Sequence, residues 1–255
     1  MSKIVVITGA SAGIGAATAE LLAEQGMSLG LMARRAEALN AVAARCGSRA
    51  LPIVGDASKR ADVQRVVEQV LARFGAIDVW INNVGQGISR PPSLLTDEDI
   101  DNIMQVNVKS ALYGMQEVLP HFKARGEGHV INVSSMLGRI PFATIRSAYC
   151  GAKHFLNALT ATFRDEIQQT HPGIQFSLVS PPVVRTDFGL NARHGGPDSR
   201  TLPNSQSAEE VAAVIAGVIH SRQPDVYTFP GAQQRVASYY ASLGVDGTTS
   251  SRVSA

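Results

Sequence analysis

Three glycines in the stretch Thr8-Gly9-Ala10-Ser11-Ala12-Gly13-Ile14-Gly15 limit what this chain can fold into more than any other feature. They follow the apolar run Ile4-Val5-Val6-Ile7 and open onto Ala-rich periodicity that reaches about Gly26. Strand, glycine turn and helix in that order build a site for a negative group. Glycine lets the backbone turn tightly and approach a ligand closely. The first turn of the helix adds unpaired N–H groups at the positive end of its dipole. The expected ligand is the pyrophosphate of a dinucleotide. The common G-x-G-x-x-G spacing, started at Gly13, meets Thr18 where its third glycine should stand. Started at Gly9, the spacing is G-x-x-x-G-x-G.

With 255 residues the chain is expected to form one domain over 1–245, followed by a polar tail at 246–255. Hydrophobic residues at 45% and charged ones at 17% suffice for one large core. A net charge of +2, with no Lys/Arg run longer than two, argues against a nucleic-acid platform. Cys46 and Cys150 lack metal-ligand spacing and read as reduced packing thiols, so no metal is expected. The first strand begins at once, and no apolar run reaches membrane-spanning length. The expectation is a soluble cytoplasmic protein with no membrane partner.

Strand signals recur at Met27–Ala33, Arg49–Val54, Ile77–Ile81, His129–Ser134, Ile174–Ser180 and Val226–Phe229. Between them, helices are predicted over Ala36–Cys46, about Lys59–Phe74 behind an Asp56-Ala57-Ser58 cap, about Thr96–Lys123, and about Ser147–Gln169. Ser207–His220 and Gln233–Leu243 read as two more. Residues 187–206 are polar with little periodicity, the mark of a lid or binding segment. Strands alternating with long helices need crossover connections, which predicts a doubly wound parallel α/β sheet of Rossmann type with helices on both faces. Ligands of such folds bind at the carboxyl ends of the strands. Gly9–Gly15, Arg34, Asp56, Asn82-Asn83-Val84-Gly85, Ser134-Ser135 and Pro181–Thr186 all fall there.

Tyr149 and Lys153 stand four residues apart at the start of the helix after the fifth strand, on one helix face. A phenol beside an ammonium suits carbonyl reduction or its reverse, because hydride addition leaves negative charge on oxygen that needs a positioned acid. A nearby cation favours phenolate. Together with Thr8–Gly15, Asn82–Gly85 and Ser135, the Tyr149–Lys153 pair resembles the short-chain dehydrogenase/reductase family, whose signature is T-G-x-x-x-G-I-G, over about residues 3–230. The resemblance implies seven strands in the order 3-2-1-4-5-6-7. It also implies a catalytic set of Ser135, Tyr149, Lys153 and Asn107, with Asn107 holding a water in a proton relay behind the lysine. Gly9, Ser11, Gly13, Ile14, Gly15, Arg34, Arg35, Asp56, Ala57, Asn83, Gly85, Tyr149, Lys153, Pro181, Val184 and Thr186 would bind the cofactor. The match departs from the family in three places. Pro182 replaces a glycine, Val84 replaces an alanine, and the Ser135–Tyr149 spacing is one residue long, which leaves Ser134 as a lesser candidate.

An acidic residue at the end of the second strand would bind a ribose 2′-hydroxyl. Here Ala33 is followed by Arg34 and Arg35, guanidinium groups suited to a 2′-phosphate, so NADP(H) is expected over NAD(H). Leu137, Ile140, Phe142 and Phe188 suggest a partly apolar substrate pocket, and Arg193, His194 and Arg200 could meet an anion or remain solvated. The function expected is an NADP(H)-dependent oxidoreductase interconverting a small-molecule carbonyl and an alcohol. Its rivals are a nucleotide-binding sensor without turnover and a nucleotide-sugar epimerase or dehydratase. A homodimer or homotetramer, paired through 96–123 and 147–169, follows by analogy with the family.

Overall fold

The computed structural model describes residues 2–243. The polar tail expected at 246–255 and the end of the domain at 245 lie outside the described residues. Seven strands form one sheet: β1 (Ile4–Thr8), β2 (Ser28–Ala33), β3 (Ala50–Val54), β4 (Val79–Asn82), β5 (Gly128–Val133), β6 (Ile174–Ser180) and β7 (Asp225–Tyr227). Their spatial order is 3-2-1-4-5-6-7, as the resemblance implied. Every neighbouring pair is parallel. The order reverses between β1 and β4, and there the crossovers leave to opposite sides and open a crevice.

The α-helices among the described residues are α1 (Gly13–Glu24), α2 (Ala36–Cys46), α3 (Arg60–Phe74), α4 (Asp97–Met104), α5 (Ser110–Arg125), α6 (Ser147–Gln168), α7 (Ala208–Ser221) and α8 (Ala232–Ala241). Strand side chains alternate between faces, so the apolar strands feed two cores. Val5 and Ile7 of β1 pack toward α1, α2 and α7, with Leu22, Leu39 and Ile215 buried there. Val6, between them, joins Trp80, Phe122, Phe176 and the valines of α3 on the opposite face. In α3 those valines, Val63, Val66, Val67 and Val70, recur at helical spacing and are all buried. None of the described helices is long and apolar enough to cross a membrane.

The long helix expected over 96–123 is interrupted. A π turn spans Gln105–Lys109 between α4 and α5. Thr96 caps α4 through a reciprocal box with Asp99. A single extra residue in the ladder turns Asn107 inward, and such turns recur at functional sites. Pro120 sits inside α5. The cap expected from Asp56 also differs: α3 begins at Arg60 behind Lys59, with no side-chain cap. Asp56 Oδ1 instead accepts from the Ser58 N–H and hydroxyl, a local turn that satisfies the carboxylate before the helix starts. Ser207 caps α7 as read, in a box with Glu210.

A chain of buried polar side chains crosses the middle of the sheet. Trp80 Nε1 donates to Asn82 Oδ1 at 2.7 Å, Asn82 Nδ2 to Asn132 Oδ1 at 2.8 Å, and Asn132 Nδ2 to Thr160 Oγ1 of α6 at 2.8 Å. Asn82 also donates to the Ala111 carbonyl of α5. At Gly114 of α5, a Cβ would overlap Asn82 Oδ1 and Trp80 Nε1. Gly114→Ala is therefore expected to lower stability by about 1–3 kcal/mol through overpacking. Urea unfolding should show a lower midpoint at an unchanged m-value, whereas an unaltered midpoint would show that this chain tolerates a methyl group.

Candidate active site

The carboxyl ends of the central strands open into a cleft of about 1020 Å³. Of the sixteen residues expected at a cofactor and the four expected to be catalytic, all but Gly15 and Asn107 line it. At one end stands the glycine turn. Gly9 and Gly13 have φ of +70° and +54°, which side chains rarely adopt. Ala12, at the start of α1, offers no side-chain cap, so the first N–H groups of the helix stay free for an anion. Gly15 lies beneath the turn, where a Cβ would come within 2.6 Å of Asn83 Nδ2 and would overlap the Gly9 carbonyl.

Asn83 ties this turn to the end of β4. Its Nδ2 donates to the carbonyls of Thr8 and Gly9, both at 3.3 Å, and its N–H donates to Thr8 Oγ1 at 3.1 Å. Thr186 closes over the turn, its Cγ2 lying 3.1 Å from where a Gly13 Cβ would stand. Val184 pairs with Gln206 in a short parallel bridge. Arg34 is exposed at the cleft mouth, and Arg35 Nη2 donates to Ser11 Oγ at 3.2 Å. The free helix end, the two glycines at positive φ and the closely packed Gly15 fit a nucleotide cofactor.

At the other end α6 carries Tyr149 and Lys153, one turn apart and both buried. Lys153 Nζ donates to the Val133 carbonyl at 3.0 Å and lies 5.8 Å from the Tyr149 ring centroid. Ser135 accepts from the Leu137 N–H and starts a 3₁₀ turn. That turn and a second at Thr144–Arg146 take up the longer spacing to Tyr149. Ser134 is directed elsewhere, donating to Asn157 Oδ1 at 2.5 Å. Phe188 packs edge-on against Tyr149, with centroids 5.5 Å apart.

Asn107 stands behind this group, fully buried, with its amide committed to backbone. Oδ1 accepts from Gln86 N–H, and Nδ2 donates to the carbonyls of Gln86 and Ile103, each at 3.0 Å. It clamps the segment after Gly85, which a Cβ would bring to 3.7 Å from Lys153 Nζ.

Burial dominates the titration of the pair. It pushes the Tyr149 phenol above its ordinary value, with the Cys150 thiol adding to the rise and with Ser135 and Arg146 pulling down. The lowering expected from Lys153 is not what this arrangement displays, since the ammonium is turned to the Val133 carbonyl. Burial brings Lys153 itself down to about 8.

The polar segment 187–206 lies over the cleft, but two of its side chains are bound elsewhere. Arg193 Nε donates to Asp99 Oδ1 at 2.7 Å, and His194 Nε2 lies 2.8 Å from the same oxygen. Arg90 occupies Oδ2 at 2.6 Å. These donors hold the Asp99 carboxyl far below the usual carboxylate range against the cost of burial. Arg200, which does line the cleft, pairs with Asp198 and Asp187. The sequence reading passed over Arg146, a half-buried cleft residue three positions before Tyr149. No sequence signal marks it, because an arginine beside a helix start is ordinarily solvated.

Fold and cleft together define a Rossmann-type nucleotide-binding α/β protein. The family profile described as short chain dehydrogenase matches residues 3–195. An uncharacterized oxidoreductase of Staphylococcus saprophyticus is 36% identical over 190 residues, 73% of this chain and 76% of its own. The farnesol dehydrogenase of Aedes aegypti is 34% identical over 195 residues, 73% and 79% of the two chains. A short-chain dehydrogenase/reductase from Burkholderia phymatum, solved in complex with NAD, superposes with a TM-score of 0.86 at 23% identity, covering 94% of this chain and 93% of its own. The chain belongs to the short-chain dehydrogenase family and is an oxidoreductase.

The buried ammonium has a measurable consequence. Below pH 8 Lys153 is charged in both folded and unfolded chains, so its desolvation opposes folding in full. Between about 8 and 10.5 the folded protein releases the proton that the unfolded chain keeps, and stability rises with pH. In the ligand-free protein, Lys153→Met should lose up to about 3 kcal/mol of stability relative to wild type across that window. Thermal melts from pH 7 to 10 should follow this slope; a constant difference would contradict it.

Proposed function

We propose that this protein is an NADP(H)-dependent oxidoreductase interconverting a carbonyl and an alcohol, with Tyr149 as proton donor and acceptor. The observation that carries the reading is one cleft that joins a free helix end and glycine turn to a buried Tyr149–Lys153 pair. When bound, the nicotinamide would supply the hydride for reduction or take it up in oxidation.

Tyr149 keeps its proton near neutrality because burial opposes phenolate, which suits it to protonate a developing alkoxide. Ser135, at the same rim, donates a hydrogen bond to the substrate oxygen. Lys153 holds the ribose hydroxyls, and its charge limits how far the Tyr149 phenolate is disfavoured once its donors turn to the ligand. Asn107, its side-chain amide committed to the Gln86 and Ile103 backbone, holds a water of the proton relay behind the lysine. Gly9, Gly13 and the first turn of α1 receive the pyrophosphate, and Asp56 meets the adenine. Ala33 leaves no carboxylate to repel a 2′-phosphate, which Arg34 and Arg35 accept. Residues 1–245 act as one domain, in a homodimer or homotetramer.

Two measurements test this reading. Turnover over a panel of carbonyl compounds and alcohols should fall about 10²- to 10⁴-fold in Tyr149→Phe, the usual span for a lost general acid. Cofactor binding without Tyr149-dependent turnover would favour the sensor instead. The ratio of kcat/KM for NADPH over NADH should fall about 10- to 150-fold in Arg34→Ala, the worth of one charge-assisted bond. An unchanged ratio removes Arg34 from cofactor choice.

A further inference from the structure

The proposed function leaves the substrate open, and one residue of the cleft bears on it. Arg146 directly precedes α6 and stands three positions before Tyr149 in the chain. It lines the cleft with Tyr149, Ser135 and Lys153. Among the described residues, no carboxylate lies within salt-bridge distance of its guanidinium. Two other arginines of the cleft differ: Arg200 is paired with Asp187 and Asp198, and Arg185 faces Glu210. Arg34 and Arg35 stand at the far, phosphate-receiving end.

Arg146 is held in place by backbone. Nη1 donates to the Ile88 carbonyl at 3.1 Å. A Cβ on Gly87 would come to 2.5 Å from Nη1, and one on Gly196 to 2.8 Å from Nη2. Two glycines thus leave room for the guanidinium between the segment after β4 and the polar segment 187–206. One carbonyl satisfies one of its five N–H donors. Half-burial makes the charge costly and lowers its pKa, while Tyr149 and Cys150 oppose that fall. Reciprocally, the Arg146 charge pulls down on the Tyr149 phenol. The two groups share one electrostatic environment.

A half-buried cation with no anion opposes folding unless a ligand brings the anion. We infer that Arg146 is the substrate-anchoring residue and that the substrate is a short oxo acid or hydroxy acid, its carboxylate on Arg146 and its oxo or hydroxyl oxygen at Tyr149. This rests on the proposed oxidoreductase reading. The guanidinium fork matches a carboxylate bidentately. Arg146 and Tyr149 line one cleft, and a carboxylate and a carbonyl carried on one short carbon chain can meet both. Leu137, Phe142 and Ile145 line the same cleft and receive the apolar remainder. The carboxylate is a handle: no bond to it changes in the reaction.

The test compares acetoacetate with methyl acetoacetate, which keeps the carbonyl and removes the charge. Wild-type enzyme with NADPH should prefer the acid at least tenfold in kcat/KM. The preference should fall to near unity in Arg146→Gln and be partly kept in Arg146→Lys. A residue that only clamped the Ile88 segment would lower both rates together and leave their ratio alone. An unaltered ratio in Arg146→Gln, or no preference in wild type, would overturn the inference. Calorimetric titration of the NADP+-loaded protein, whose oxidised nicotinamide cannot reduce a ketone, decides the matter without turnover: acetoacetate should bind wild type and bind Arg146→Gln at least tenfold more weakly. Equal binding, or none to wild type, also overturns it. If no carbonyl compound is turned over in a Tyr149-dependent way, the oxidoreductase reading fails, while the titration still judges Arg146 by itself.

Discussion

Asn82 and Asn132 face each other across two parallel strands in the interior of an otherwise apolar sheet, and much of the cleft depends on that pairing. Buried amides without partners are costly, so each fixes its neighbour's position. Asn82 receives the indole of Trp80 and reaches the α5 backbone; Asn132 reaches Thr160 on α6. Asn83 directly follows β4, and Ser135 stands two residues beyond the end of β5. Asn83 carries the alignment sideways into the glycine turn, and Thr160 carries it into the helix that bears Tyr149 and Lys153. A slip of β4 against β5 would leave these amides unpaired and would separate the glycine-turn end of the cleft from the Tyr149 end.

Charge is treated differently on the two sides of Tyr149. Asp99 is buried, yet Arg90, Arg193, His194 and the Thr96 N–H all meet it, so the carboxylate is satisfied and ties the polar segment 187–206 to α4. Lys153 has one carbonyl, and Arg146 has one carbonyl. Saturated ion clusters hold structure, whereas under-satisfied cations in a cleft mark where binding energy is to be released. By that criterion Arg193 and His194, plausible anion binders from composition alone, belong to the scaffold. Arg146, unremarkable in sequence, belongs to the site.

Much of the fold was legible because its signals are local. Apolar runs bounded by glycine or a capping serine marked the strands and most helices, and the crossover requirement made the sheet parallel. The strand order and the residues lining the cleft followed from the Thr8–Gly15 and Tyr149–Lys153 motifs through family resemblance. What stayed hidden depends on tertiary neighbours. The π turn at Gln105–Lys109 adds one residue to a helical ladder, too little to disturb the apolar periodicity of 96–123. Asp56 looked like a cap because Asp commonly is one, but its oxygen is taken by Ser58. The fate of Arg193 and His194 was set by a carboxylate some ninety-five positions away in the chain. Arg146 was passed over because an arginine beside a helix start is ordinarily solvated, and only the glycine-lined slot reveals otherwise.

Desolvation also gives the cleft a direction. Burial raises the Tyr149 phenol and lowers Lys153 to about 8, so each is pushed toward its neutral form. A phenol that keeps its proton can donate to an alkoxide but is a weak base toward an alcohol. Cations nearby counter this by favouring phenolate, and Arg146 already does so in the ligand-free protein. An anion placed on Arg146 would cancel that pull, so Tyr149 would hold its proton more tightly until an alkoxide forms beside it. The charge that positions the proposed carboxylate substrate would thus also act on the protonation of the group that reacts with it.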